Sequence, residues 1–138
     1  DLFRAQPRDL EQRAGELLEF VGLYEKRRER AGELSFGQQK LVSITQALML
    51  EPRAVLLDEP LAGVNPTMET RILGLIHDFL DRGATFLLVE HDMDVIMNEC
   101  EDVIVMESGE LLTRGPPAEV RRDERVLEAY FGSEGVGE

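Results

Sequence analysis

The stretch Ala54-Val55-Leu56-Leu57-Asp58-Glu59-Pro60 decides how this chain is read. A short, continuous apolar run of this kind predicts a strand buried on both faces. Proline then stops it, because it has no amide proton to give a ladder. A buried strand that delivers two consecutive carboxylates is costly unless the acids have a role or reach water. Asp58 leaves the strand first and is placed to hold a divalent cation, directly or through water. Glu59, one residue on, points elsewhere and is placed to polarise a water. The plain alternative is a strand end whose acids simply meet solvent.

Downstream the same pattern repeats. After a Gly63–Pro66 turn, Met68, Ile72, Leu75, Ile76 and Phe79 fall at helical spacing, and Gly83 closes the helix. Thr85–Val89 reads as a second buried strand, again ending in acid at Glu90-His91-Asp92. Met93, Ile96, Met97 and Cys100 outline a short helix, and Val103–Met106 a third strand. Ser108-Gly109 is a hairpin turn into Leu111-Leu112. Two small helices are expected at Pro116–Arg122 and Val126–Phe131, followed by a frayed tail from Gly132 to Glu138.

Upstream, Leu34-Ser35-Phe36-Gly37-Gln38-Gln39 leads into a helix with Leu41, Ile44 and Leu48 on one face. Ser35 and Gln38 fit the Ser-x-x-Gln capping box, so this helix starts after Ser35 and runs to about Leu50. Its exposed first-turn amides, a hydroxyl and a glycine form a ready anion site, or simply an ordinary capped helix. Tyr24–Glu33, where acids neutralise the basic residues, reads as a solvated connector. Before it, Leu10, Ala14, Leu17, Leu18 and Val21 predict a helix over residues 10–21, capped by Asp9 and Gln12 and stopped at Gly22. Asp1–Pro7 is loop-like. Strand-helix-strand-helix-strand implies α/β architecture with a largely parallel sheet, in which chemistry collects beyond the carboxyl ends of the strands.

Composition narrows the function. The chain has 138 residues, 43% hydrophobic and 31% charged, the balance of a globular chain. A net charge of -13 repels a phosphate backbone, so no nucleic-acid partner is expected. One cysteine, Cys100, leaves no internal disulfide and suits a reducing compartment. No apolar run approaches the roughly 20 residues of a membrane span. Two histidines and one cysteine without ligand spacing disfavour zinc; His77, mid-helix among charged neighbours, reads as structural, and His91 at a strand end as the functional candidate.

Taken together and in order, these segments resemble the ATP-binding-cassette ATPases. Leu34–Gln38 resembles the family signature, with Phe36 where glycine is commonest. Val55–Pro60 resembles the Walker B strand with its catalytic glutamate, and Ala62-Gly63-Val64-Asn65-Pro66 the D-loop, with Asn65 where many members have Asp. His91 resembles the switch histidine. The wording of Gly37–Gln39, Glu90–Asp94 and the ending from Pro117 to Gly132 is closer still to branched-chain amino acid importers.

The resemblance implies a partial P-loop NTPase fold of the α/β class. Residues 1–50 would belong to the helical subdomain, 51–115 to the catalytic core and 116–138 to small C-terminal helices. It implies ATP and Mg²⁺ as cofactors and a second cassette as head-to-tail partner, with transmembrane permease subunits beside them at the cytoplasmic face of the membrane. Ser35, Phe36, Gly37 and Gln38 would bind ATP, Asp58 would hold Mg²⁺ through water, and Glu59 and His91 would be catalytic. No Gly-x-x-x-x-Gly-Lys-[Ser/Thr] occurs, since neither Lys26 nor Lys40 follows a glycine. The start at Asp1 is therefore expected to be internal to a longer cassette, and this chain alone to be inactive. A non-hydrolysing half-site cassette and a lipopolysaccharide-export cassette are the rival readings.

Overall fold

The structure, a computed structural model, describes residues 7–131. The expected loop at the N-terminus, up to residue 6, and the tail from residue 132 lie outside the described residues. The chain forms two compact units, which divide between Val89 and Glu90.

In the first unit, helix α1 spans Pro7–Phe20, two short 3-10 turns follow at Tyr24–Lys26 and Ala31–Glu33, and α2 spans Phe36–Leu48. Strand β1 (Ala54–Asp58), helix α3 (Pro66–Asp81) and strand β2 (Thr85–Val89) then form a βαβ unit. The two strands pair in parallel, Ala54 opposite Thr85 through to Asp58 opposite Val89. Leu41, Leu48, Ile72, Leu75 and Val21 are fully buried in one core, on which Leu57, Phe86 and Leu88 pack.

Two expectations fail here. Helix α1 starts at Pro7, so Asp9 sits inside its first turn and is not a cap; proline's fixed φ favours the first helical position, and Gln12 instead donates to Glu16 at 2.8 Å. The stop at Gly22 holds: it has φ +70°, and the amides of Gly22 and Leu23 donate back to Glu19 and Leu18 in a Schellman closure. Nor are the strands buried on both faces. Val55 and Leu57 face the core, but Leu56 is 75% exposed, and Leu87 and Val89 share that outer face. Core packing covers one face of the pair, and among the described residues the other stays open.

The connector behaves as a solvated segment. Arg27 lies over the Tyr24 ring and Lys26 pairs with Glu29, all at the surface.

The second unit holds helix α4 (Met93–Glu99), strands β3 (Val103–Glu107) and β4 (Glu110–Gly115), and helices α5 (Pro117–Val120) and α6 (Glu124–Phe131). Here β3 pairs antiparallel with β4, with a register shift at Val105/Met106, and among the described residues forms a sheet separate from the parallel pair. The turn sets the antiparallel pairing with β4: Ser108 and Gly109 both have positive φ, the type I′ geometry that turns a strand directly back on itself. Met97, Val103, Val105, Val120 and Val126 form this unit's core. Cys100 packs against it, and burial beside Glu99 pushes its thiol pKa up. No described helix is long and apolar enough to cross a membrane.

Candidate functional site at the end of the first strand

Asp58 is the last residue of β1 and is exposed, with its strand partner Val89 at the same level of the sheet. Glu59 then turns sharply, with φ +45°, a left-handed conformation that a residue with a Cβ adopts only when its surroundings hold it there. Its surroundings do. The Glu59 amide donates to the Val89 carbonyl at 2.8 Å, continuing the sheet one residue past its end. The Glu59 carbonyl accepts from the Ala62 amide at 3.3 Å and from Lys40 Nζ at 2.5 Å. Pro60 is buried and fixes the next step. The chain thus leaves the sheet after Asp58 on a backbone that is held at Glu59.

The start of α2 lies against this turn. The capping box is complete: Gln38 N donates to Ser35 Oγ at 3.4 Å, and Ser35 N to Gln38 Oε1 at 3.0 Å. The box occupies the Gln38 amide, while the Phe36 and Gly37 amides lie in the first turn, where a helix offers no partner. Ser35 keeps its hydroxyl proton and Gln38 its side-chain NH₂ as further donors.

Gly37 has a packing reason of its own. A Cβ there would lie 2.9 Å from Met68 Cγ, so any side chain at this position would have to displace Met68 where α2 meets α3.

Residues Ala62–Pro66 complete the arrangement. Gly63 has φ +71°, and a Cβ on it would come 3.3 Å from the Phe36 ring. Phe36, 63% exposed, thus covers the glycine of the following loop. Val64 lies close to Gly37. Asn65 caps α3, its Oδ1 accepting from Met68 N at 3.0 Å, with Pro66 at the first helical position. An amide and a carboxylate serve equally in that cap, so Asn65 is a structurally conservative choice at this point.

Lys40 is the residue that sequence reasoning missed. Its Nζ donates to the carbonyls of Glu59 and, at 2.9 Å, of Ala62, and lies 5.7 Å from the centre of the Phe36 ring. The only sequence signal was its rarity, as one of two lysines, together with its place one turn after Phe36.

His91 belongs to the second unit, exposed on the bend before α4. There Asp92 caps the helix, its Oδ1 accepting from Asp94 N at 2.9 Å and Val95 N at 3.3 Å. His77 is exposed on α3. The structure therefore brings Phe36 at the start of α2, Glu59 after β1 and Ala62 of the following loop to one lysine, with Asp58 preceding Glu59 at the strand end.

No group of three or more His, Cys, Asp or Glu among the described residues is arranged to hold a metal ion. One exposed carboxylate at a strand end does fit Mg²⁺ that arrives with phosphate and water ligands, since that ion keeps most of its waters and needs few protein oxygens. The first-turn amides of α2 fit a phosphate in the same way.

The chain matches the family described as ABC transporter over residues 3–62, and that described as branched-chain amino acid ATP-binding cassette transporter over residues 110–136. It is 36% identical over 131 residues to the high-affinity branched-chain amino acid transport ATP-binding protein BraF of Pseudomonas aeruginosa, covering 94% of this chain and 51% of that protein. With the LivG protein of the same description from Escherichia coli K12 it shares 35% over 130 residues, 94% of this chain and 51% of the relative. Among solved structures it superposes on the ADP conformation of MJ1267, an ATP-binding cassette of an ABC transporter. The TM-score is 0.80 at 35% identity, covering 93% of this chain and 52% of that one. A nucleotide-free cassette from an ABC transporter gives 0.80 at 33%, over 98% and 53%. The chain spans about half the length of the curated relatives it matches. These matches run through the segments that build the strand end and the capped helix, and the chain belongs to the ATP-binding-cassette family of transporter ATPases.

Proposed function

We propose that this chain is part of the ATP-hydrolysing subunit of an importer for branched-chain amino acids. It works as a head-to-tail dimer of cassettes, docked on permease subunits at the cytoplasmic face of the membrane. The observation that carries the reading is the end of β1, where Asp58 and a fastened Glu59 leave the sheet beside the capped start of α2. Relatives named as branched-chain amino acid transport proteins supply the cargo.

In this reading the first-turn amides of Phe36 and Gly37, the Ser35 hydroxyl and the Gln38 side-chain NH₂ bind the terminal phosphate of ATP held by the partner cassette. Asp58 holds Mg²⁺ through water; the ion, when bound, neutralises charge on the phosphates. Glu59 orients the attacking water, and its fixed backbone places it without reorganisation. His91 steadies the terminal phosphate, and residues 62–66 meet the second cassette. Residues 1–50 serve as part of the helical subdomain facing the permease, 51–115 as catalytic core and 116–138 as a C-terminal addition. The 138 residues hold no phosphate-cradling loop of the Gly-x-x-x-x-Gly-Lys-[Ser/Thr] kind, so alone they hydrolyse nothing.

The test is uptake of labelled leucine by cells whose own importer ATPase is deleted and replaced by a full-length cassette carrying this sequence. Restored uptake that Glu59→Gln abolishes is expected. Restored uptake of another solute class, with leucine left outside, would overturn the cargo. Uptake untouched by Glu59→Gln would overturn the role of the site.

A further inference from the structure

Glu59 is in a conformation its own side chain disfavours, and besides the local bond from the Ala62 amide, atoms of two other elements hold it. The β2 end accepts its amide proton at Val89, and the ammonium of Lys40, from a different helix, binds its carbonyl. The same ammonium binds the carbonyl of Ala62, three residues on, so one cation closes both ends of the Glu59–Ala62 turn. Lys40 itself is well founded. It stands one turn into a capped helix, next to the fully buried Leu41, with Phe36 on the same helical face beneath its ammonium. Of its three donors two are spent on main-chain carbonyls, which no neutral apolar side chain of similar length replaces.

We infer that Lys40 is a positioning residue that transmits the placement of the α2 N-terminus to Glu59 and to the loop of Ala62–Asn65. A shift of α2 moves the ammonium, and with it the turn that aims the water-orienting carboxylate. The phosphate-facing helix start and the hydrolytic end of β1 are thereby one mechanical piece. The catalytic consequence rests on the function proposed above; the clamp itself does not.

The experiment has two arms, both on the full-length cassette. Without nucleotide, amine-reactive labelling followed by peptide mass spectrometry compares Lys40 with Lys26, whose ammonium sits in a surface ion pair with Glu29. Lys40 labels severalfold more slowly, and in Lys40→Met the amides of Ala62 and Val64 exchange faster than in the parent. In the kinetic arm, Lys40→Met lowers kcat by about tenfold or more, with KM for ATP within about twofold, as expected when a standing hydrogen bond positions a group that acts on the reacting water and not on ATP binding. Lys40→Arg, which brings a fork of donors to the same carbonyls, restores most of kcat. Equal labelling of the two lysines, or parental kcat in Lys40→Met, overturns the inference. A parent cassette with no turnover counts against the proposed function alone, and the labelling and exchange rates still decide the clamp.

Discussion

Two strands end in acids, and the two ends differ in what holds them. At the end of β1 the chain is pinned residue by residue: Glu59 by Val89, Ala62 and Lys40, Pro60 by burial, Asn65 by its cap on α3. At the end of β2 the chain passes into the second unit at Glu90, His91 is exposed on a bend, and the cap that orders α4 belongs to Asp92. Similar sequence patterns thus give one end that turns back within the first unit and one that leads into the second.

The largest expected effect strikes the frame of the fastened end. Leu75 is fully buried on α3, and Leu75→Ala should cost the first unit about 2–5 kcal/mol, the range for truncating a core leucine. Hydrogen exchange read separately over β1 and α4 checks it: loss of protection confined to the first unit sharpens the contrast, and equal loss in both breaks it.

Next in size, His91→Ala in the full-length cassette should lower turnover by about tenfold, the worth of one charge-assisted contact. A fall as deep as that of Glu59→Gln would place both ends on an equal footing.

Asp92→Ala removes two accepted amide bonds at the start of α4 and should cost about 1 kcal/mol, seen in thermal melting of the second unit and not of the first.

The smallest effect is a pH dependence in the second unit. Hydrogen bonds from Arg125 hold the Asp123 carboxyl well below the usual carboxylate range. A depressed folded-state pKa stabilises above the unfolded value of about 3.9 and loses that contribution as pH falls toward the folded value. Asp123→Asn should therefore melt slightly lower than the parent at neutral pH, with the difference shrinking below about pH 4. A difference that grows on acidification would contradict the sign.

Much of this was legible in the residues themselves, and the misses have physical reasons. The capping box at Ser35 and Gln38, the Ser108-Gly109 turn and the buried face of α3 are local, so spacing alone reveals them. The strands were legible but their outer face was not. An apolar run such as Val55-Leu56-Leu57 carries no alternation to say which side is covered, and Leu56 and Leu87 turned out to be on the open one. The parallel pattern did not extend to β3, which among the described residues pairs with β4 through the type I′ turn. Within the candidate site, the acids, the signature segment and the loop after Glu59 were found from sequence. Lys40 was not: its partners lie 19 and 22 residues away and are main-chain carbonyls, which every residue has and no sequence pattern marks. The left-handed backbone of Glu59 escaped for a related reason, since it is imposed by long-range contacts against the residue's own preference.

In the proposed function the fold aims Glu59 at a water in an ATP-hydrolysing site. Steady-state hydrolysis and equilibrium ATP binding, measured together on the full-length cassette and its Glu59→Gln variant, test it most directly. The swap keeps shape and one acceptor but cannot polarise water. Turnover should fall by about 100-fold or more while ATP affinity and the ATP-bound dimer persist. Hydrolysis at the parental rate in that variant would contradict the account.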